Sequence, residues 1–224
     1  MKNSTTFNGF TPATIQFLKD LRENNYKEWF EVHRNVYEKE LLEPFRNLVS
    51  ALTPLMYNID SKFEFRPHRV LSRIYRDVRF SKNKDPYKTS LWIAFQQPIE
   101  NWENYPGFFM ELSSDSYFYG MGLFMPKKKV MDNFREKLEY DTEEFEKNTQ
   151  INVLDRGFEI SGEEYKKKIQ NNLPEYFQPW YQKKSIYAAK NFPIGEELFR
   201  PEFAIKLGDD FKALEWLYNF FKDE

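Results

Sequence analysis

The sequence predicts a mixed α+β protein, in which an antiparallel or mixed sheet is flanked by N-terminal helices and a C-terminal helix. Apolar residues recur at helical spacing near both ends of the chain, and a β-hairpin pattern lies near residues 108–125. Aromatic residues make up 19% of the 224 residues, so we expect a core built largely from rings. Since no linker or internal repeat interrupts the pattern, we predict a single domain over residues 1–224.

The first quarter of the chain predicts a short arm followed by helices. Residues 1–10 are expected to form the arm. Thr11 and Pro12 are typical of a helix start, because Thr caps a helix and Pro suits its first turn. A second helical pattern runs from about residue 26 to 57, and Pro44 is expected to bend or restart it.

The middle of the chain carries the strand patterns. Residues 69–76 and 91–97 each predict a strand, and residues 108–125 predict the hairpin. A helix is the alternative for the first segment, because Arg66, Arg69, Arg73 and Arg76 also fit helical spacing. Gly120 and Gly122 lie two apart in the second hairpin strand. They indicate either a close packing contact or a bulge at that position.

The last part of the chain returns to helical patterns. Residues 130–138 predict a helix, residues 186–189 a further strand and residues 209–222 the C-terminal helix. Asp209 or Asp210 is expected to cap that last helix.

The overall composition narrows the classes of function. The chain has 33 Lys and Arg against 35 Asp and Glu, a net charge of −2, which gives no global attraction to a polyanion. It has no cysteine, which excludes disulfides, thiolate nucleophiles and Cys-ligated metals. No signal-peptide pattern and no apolar run of about 18 residues is present. We therefore expect a cytoplasmic protein with no membrane partner.

One segment departs strongly from this balance. Residues 62–90 contain nine Lys or Arg and three acids, a net charge of +6, so the remaining residues carry −8. Arg is prominent in it, and the planar guanidinium binds phosphate or carboxylate in bidentate fashion. We expect Asp77 to orient the flanking Arg76 and Arg79, and residues 81–85 to form a polar turn whose amides help to bind an anion. The predicted anion-binding residues are Arg73, Arg76, Arg79, Lys82, Lys84 and Lys88.

A structural interpretation of the same residues stays open. Arg–Asp pairs often fix a loop to a sheet, and lysines usually face solvent. Tyr87, between two lysines, is a weak candidate for a proton donor, although such a tyrosine more often packs its ring. Trp29, His33 and Tyr37 recur on neighbouring helical turns and are candidates for the wall of a cleft. The sequence does not decide whether any reaction is catalysed.

Metal and cofactor motifs are not present in the sequence. The two histidines, His33 and His68, lack the spacing of metal ligands, and His33 is better interpreted as a histidine at the edge of the core. The Gly120–Gly122 pair is not a dinucleotide-binding pattern, because the third glycine and the strand-to-helix context are missing. We therefore predict no metal and no cofactor.

The string RIYRDVRFSKNKDPYKT, residues 73–89, resembles the signature of the domain-of-unknown-function 2461 family, a group of uncharacterised, mostly bacterial proteins. Asn83 stands where that family usually has Asp. Asn24-Asn25 followed by Trp29-Phe30 resembles a second stretch of the family. The resemblance spans about residues 7–221. It implies an α+β fold and a functional role for the signature, but it implies no known activity.

The leading functional hypothesis is a basic cleft that binds a small anion, either phosphate or carboxylate, with or without catalysis. The alternative is a non-catalytic interaction module whose basic loop docks an acidic protein partner. Nucleic-acid binding is less favoured, because the −8 carried by the remaining residues would repel a long polyanion. The sequence specifies neither the ligand nor the oligomeric state.

Overall fold

A computed structural model describes residues 6–79 and 82–222 of the chain. It contains a five-stranded antiparallel sheet with strand order β1-β2-β3-β5-β4, together with helices before and after the sheet segments. The predicted α+β class is therefore confirmed. The strands are β1 (Ser90–Phe95), β2 (Gly107–Ser113), β3 (Ser116–Leu123), β4 (Glu159–Ser161) and β5 (Ile186–Pro193).

The N-terminal helices begin where the sequence predicts. The Thr11 hydroxyl accepts a hydrogen bond from the Thr14 backbone N–H at 3.2 Å, and Thr14 accepts one from the Thr11 N–H at 3.0 Å. Pro44 lies in the first turn of the helix that begins at Glu43. This helix follows a π-helical segment, and Leu42 and Glu43 both keep helical backbone angles, so the helical backbone continues through this point and does not restart. The helices are α1 (Pro12–Glu23), α2 (Lys27–Val32), α3 (Arg34–Val36), a π-helical segment (Tyr37–Leu42) and α4 (Glu43–Ile59).

The remaining helices lie between and after the strands. They are α5 (Pro67–Val70), α6 (Lys128–Tyr140), α7 (Thr142–Thr149), α8 (Gln178–Tyr181), α9 (Phe203–Ala213) and α10 (Glu215–Lys222). Short 3₁₀ or π segments lie at Trp102–Asn104, Gln150–Leu154, Glu175–Phe177 and Glu196–Phe199. The predicted helix over 130–138 and the hairpin over 108–125 are both confirmed.

One predicted strand and the predicted start of the C-terminal helix are wrong. Residues 69–76 do not form a strand, because α5 occupies Pro67–Val70 and the residues after it make only isolated pairings. The C-terminal helix begins at Phe203 rather than near residue 209, and Asp210 lies inside it. The Asp210 carboxylate does not cap the helix, since it accepts hydrogen bonds from Tyr119 Oη at 2.6 Å and Lys190 Nζ at 2.8 Å.

The chain divides into two compact units. Unit 1 consists of Met1–Phe95, Phe109–Phe118 and Asn191–Gly208, and unit 2 of Gln96–Phe108, Tyr119–Lys190 and Asp209–Glu224. The prediction of one domain over 1–224 stays a prediction. Fully buried side chains of unit 1 include Phe30, Phe45, Leu48, Leu91 and Ile93. In unit 2, Phe145 packs edge-on against Trp180 with ring centroids 5.0 Å apart.

The two glycines of β3 are explained by a close approach of the β5 backbone. A Cβ atom on Gly120 would lie 2.0 Å from the carbonyl oxygen of Ala188, and one on Gly122 would lie 2.2 Å from that of Ile186. Both distances are far below van der Waals contact, so a side chain at either position would displace the neighbouring backbone. The first of the two predicted explanations, a close packing contact, is therefore confirmed.

Within residues 6–79 and 82–222, no helix combines the length and the apolar character that crossing a membrane requires.

Candidate anion-binding site

The basic motif folds as an irregular hairpin within unit 1. Tyr75 and Tyr87 are paired antiparallel, the Arg76 N–H donates to the Pro86 carbonyl at 2.9 Å, and the Lys88 N–H donates to the Ile74 carbonyl at 2.7 Å. We call residues 71–79 and 82–93 the basic hairpin. Its base continues into β1, and its tip comprises residues 77–79 and 82–85.

One face of the basic hairpin packs against α2. Tyr87 is only 2% exposed, and its ring stacks on that of Phe30 with centroids 4.1 Å apart. The side-chain amide of Asn25 binds the backbone of the same tyrosine twice. Asn25 Nδ2 donates to the Tyr87 carbonyl at 3.1 Å, and the Tyr87 N–H donates to Asn25 Oδ1 at 3.0 Å. The two stretches that carry the family resemblance therefore meet here.

The buried ring of Tyr87 bears on its predicted role as a proton donor. Burial raises the pKa of the Tyr87 phenol, with a smaller contribution in the same direction from Tyr75. The phenol therefore stays protonated at neutral pH. The ring occupies a packed position between the hairpin and α2, and its catalytic role stays a prediction.

The opposite face of the basic hairpin presents two cations. Side chains alternate along paired strands, so the pairing of Tyr75 with Tyr87 places Arg76 and Lys88 together on the other side. Burial lowers the pKa of Lys88, and the positive charges of Arg76 and Arg73 lower it further, while Glu111 opposes the shift. Lys88 therefore experiences the positive charges of both arginines and the opposing negative charge of Glu111.

Arg76 is incompletely hydrogen-bonded in this position. Its Nη2 donates to the Tyr87 carbonyl at 3.3 Å, near the limit for a hydrogen bond. Its Nε is buried and has no hydrogen-bond partner among the residues that the structure describes. An unsatisfied buried donor costs about 1–3 kcal/mol, and more when the group is charged. The guanidinium therefore retains an unused donor at the base of the hairpin.

The tip of the basic hairpin is organised differently. Asp77 accepts hydrogen bonds from Arg79 at its backbone N–H (3.2 Å), Nε (2.9 Å) and Nη2 (2.7 Å). Arg79 accordingly holds the pKa of the Asp77 carboxyl below its usual range. We expected Asp77 to contact both flanking arginines, but the Arg76 guanidinium turns to the Tyr87 carbonyl instead.

The remaining tip residues form local turn contacts. Lys84 Nζ donates to the Val78 carbonyl at 2.8 Å, and Lys82 is exposed. Asn83 Oδ1 accepts a hydrogen bond from the Asp85 N–H at 2.8 Å, a contact that an aspartate would make equally well. The departure from the family pattern at Asn83 therefore preserves the turn. Ser81, part of the predicted anion-binding turn, lies outside the described residues.

The three candidates for a cleft wall lie among the N-terminal helices. The rings of Trp29 and His33 stack with centroids 4.0 Å apart, and His33 Nδ1 lies 2.8 Å from the Trp29 carbonyl oxygen. Tyr37 packs against Phe17 and Phe30, and burial raises its pKa to about 12. These contacts place all three residues among the aromatic side chains of the N-terminal helices. Their role as a cleft wall stays a prediction.

The sequence analysis missed four residues that shape the site. Asn25 fixes the hairpin backbone, Arg34 donates to the Tyr75 hydroxyl at 3.4 Å, and Glu111 acts on the charge of Lys88. Trp92 lies next to Lys88, whose Nζ is 5.8 Å from the Trp92 ring centroid. Two of them had a usable signal. Asn25 belongs to the second stretch of family resemblance, and the alternation Lys88, Ser90, Trp92 predicts one shared face of a strand.

Two grooves lie elsewhere on the molecule. One, of about 410 Å³, lies in unit 1 and is lined by Glu196, Glu197, Arg200, Glu202, Phe203 and Lys206. A larger one in unit 2, of about 710 Å³, is lined by residues of 100–105 and 127–140 and by Phe220, Phe221 and Lys222. Neither groove is lined by a residue of the basic hairpin.

Across the described part of the chain, no group of three or more His, Cys, Asp or Glu side chains is arranged to hold a metal ion.

The fold defines an α+β protein that carries a cluster of cations on the basic hairpin, and comparison with known families shows the family to which the chain belongs. The family described as conserved hypothetical protein (DUF2461) matches residues 13–220, so the chain belongs to this family. The resemblance that the signature indicated is thereby confirmed. A search of curated proteins found no match.

Proposed function

We propose that the protein binds a small anion, phosphate or carboxylate, at the base of the basic hairpin. The observation that carries this proposal is the half-buried Arg76, whose Nε lacks a partner among the described residues and which lies beside a second cation, Lys88. Turned towards an anion, the guanidinium would use Nε and Nη2 together in a bidentate contact. The anion would also relieve the mutual repulsion of the neighbouring cations.

The six predicted anion-binding residues differ in their surroundings. The charges of Arg73 and Arg76 both act on Lys88, and we propose these three residues as the principal ligands. Arg79 and Lys84 at the tip already donate to Asp77 and to the Val78 carbonyl. An anion at the tip would compete with those contacts in full solvent, where charge–charge interactions are weak. We therefore propose a supporting role for the tip.

Isothermal titration calorimetry with inorganic phosphate, pyrophosphate and citrate tests this proposal. We expect binding of at least one of them by the wild-type chain. Arg76→Lys keeps the charge but removes Nε and the planar fork, so affinity should fall roughly tenfold or more. The control is Arg66→Lys, an exposed arginine of the same basic segment that is paired with Glu64. Equal losses in both variants, or no binding of any of the three anions, would contradict the proposal.

The interaction module is the second candidate, and the exposed tip favours it. Arg79, Lys82 and Lys84 all lie at the surface. We propose that such a tip would contact an acidic protein segment, with a strong dependence on salt. Titration with polyglutamate tests it. Binding that survives Arg76→Lys but is lost in the Lys82→Ser, Lys84→Ser double variant would favour this candidate over the small anion.

The cytoplasmic location and the bacterial source stay predictions.

A further inference from the structure

We propose that the anion bound at the base of the hairpin is attached to a flat aromatic ring, as in a mononucleotide, and that Trp92 is the surface on which this ring stacks. The inference rests on the proposed anion site and specifies the class of its ligand. It is carried by a separate observation, the exposure of Trp92 beside Lys88.

The two faces of β1 differ sharply. Leu91 and Ile93 are fully buried on one face, whereas Trp92 on the other is 37% exposed. A tryptophan buries a large apolar area when it is packed, so an exposed ring on a strand leaves considerable contact area unused. A ligand ring lying on Trp92 would cover that area.

Lys88 connects this ring to the anion site. Its Nζ lies 5.8 Å from the centroid of the Trp92 ring, within cation–π range, and on the same face of the hairpin as Arg76. An anion bound to both cations would draw the ammonium towards Arg76 and uncover more of the indole. A group the size of a pentose would then span the distance from the anion to the stacked ring.

Glu111 disfavours a second negative charge on the part of the ligand that lies near Trp92. Glu111 lies on the half-buried face of β2, the strand next to β1, and its negative charge acts on Lys88. It would repel a second negative charge near the ring, but it would accept a hydrogen bond from a hydroxyl or an amino group. The favoured ligand therefore has one anionic end, a hydroxylated spacer and a neutral aromatic end.

The test compares four probes by calorimetry on the full chain: inorganic phosphate, ribose 5-phosphate, adenosine and adenosine 5′-monophosphate. Stacking on an aromatic side chain should make the monophosphate bind roughly tenfold tighter than ribose 5-phosphate. Trp92→Ala should remove this difference and leave the affinity for inorganic phosphate unchanged. The matched control is Trp102→Ala, since Trp102 is 41% exposed and lies in unit 2.

Two further variants keep the test decisive if Trp92→Ala does not fold. Trp92→Leu retains apolar bulk without an aromatic face, so it should bind adenosine 5′-monophosphate and ribose 5-phosphate equally well. Trp92→Phe should keep most of the preference for the monophosphate. Equal affinities for the monophosphate and ribose 5-phosphate, still reduced by Arg76→Lys, would overturn the stacking inference and leave the anion site standing. Absence of phosphate binding in the wild-type chain would overturn both.

Discussion

The base and the tip of the basic hairpin carry similar numbers of cations in very different surroundings. At the base, Arg76 and Lys88 are half-buried and act on one another, and Arg76 has an unused donor. At the tip, Arg79 and Lys84 are exposed, and each donates to an acceptor of the hairpin itself. At the base, burial of the cations and the unused Arg76 donor cost free energy of folding. At the tip, Arg79 and Lys84 have hydrogen-bond acceptors within the hairpin.

This difference distinguishes the proposed binding site by the burial of its cations and not by the density of charge. Exposed ion pairs contribute little and lose little when they exchange partners with solvent. Half-buried cations that repel one another are retained against a desolvation cost, and an anionic ligand would offset that cost. Substitutions at the base and at the tip of the hairpin should therefore differ in their effects on stability and anion affinity.

The largest loss of stability is expected from truncating Phe30, whose ring packs against the hairpin base. Phe30 is fully buried and stacks on Tyr87, so Phe30→Ala should lower the free energy of unfolding by about 3–5 kcal/mol. Chemical denaturation measures this loss. Val32→Ala on the same helix is the control, because Val32 is 79% exposed and should change stability by less than about 0.5 kcal/mol. Similar values for the two variants would refute the packing described for Phe30.

A smaller loss of stability is expected when the Asn25 side-chain amide, which binds the hairpin backbone, is removed. Asn25→Ala leaves the N–H and the carbonyl of Tyr87 without their side-chain partner, which should cost about 1–3 kcal/mol. Anion affinity should fall with it, because Lys88 follows Tyr87 directly. Denaturation and calorimetry on the same samples check both effects, with the exposed Asn35→Ala as control. Unchanged affinity would show that the hairpin base does not depend on this amide.

The depressed pKa of Lys88 predicts a pH dependence of binding. Burial and the nearby arginines lower this pKa from the ordinary 10.5, so Lys88 loses its charge at a lower pH than exposed lysines do. The affinity for sulfate, whose own charge is constant in this range, should fall as pH rises through that lowered pKa. Lys88→Arg should abolish the fall, since Arg stays protonated. An identical pH profile in the two proteins would exclude Lys88 as a ligand.

The smallest effect is expected at the tip. Asp77→Asn removes the ion pair with Arg79, but both side chains are largely exposed. We expect no measurable change in stability near neutral pH and at most a twofold change in anion affinity. The low pKa of Asp77 means that any stabilisation from this pair is present above the unfolded-state pKa and is lost as pH falls through the folded-state value. A large loss of anion affinity would indicate that the anion binds at the tip and not at the base.

Local sequence patterns predicted much of the fold. Thr11 with Pro12 located the first helix, and the alternation over residues 108–125 located the hairpin strands, because capping and strand periodicity act over a few residues. Asp210 resembled a helix cap, but its carboxylate is bound by Tyr119, which lies 91 residues away in the sequence. No local pattern contains such a partner.

The candidate site was predicted less completely for the same reason. The sequence located the cluster of cations, but it treated Arg76 and Arg79 as equivalent. They differ because Asn25 and Phe30, far away in the sequence, hold Tyr87 and bury one side of the hairpin base. Which arginine keeps an unused donor therefore depends on tertiary packing, which spacing alone does not encode.

A crystal structure of the chain soaked with tungstate, a strongly scattering analogue of phosphate, would test directly whether the base of the hairpin binds an anion. We expect a tungstate peak at the base, with oxygens about 3 Å from the Arg76 guanidinium and Lys88 Nζ, and with Nε turned to the anion. A peak bound only by Arg79 or Lys84 at the tip, or no peak at the base at saturating tungstate, would contradict this expectation.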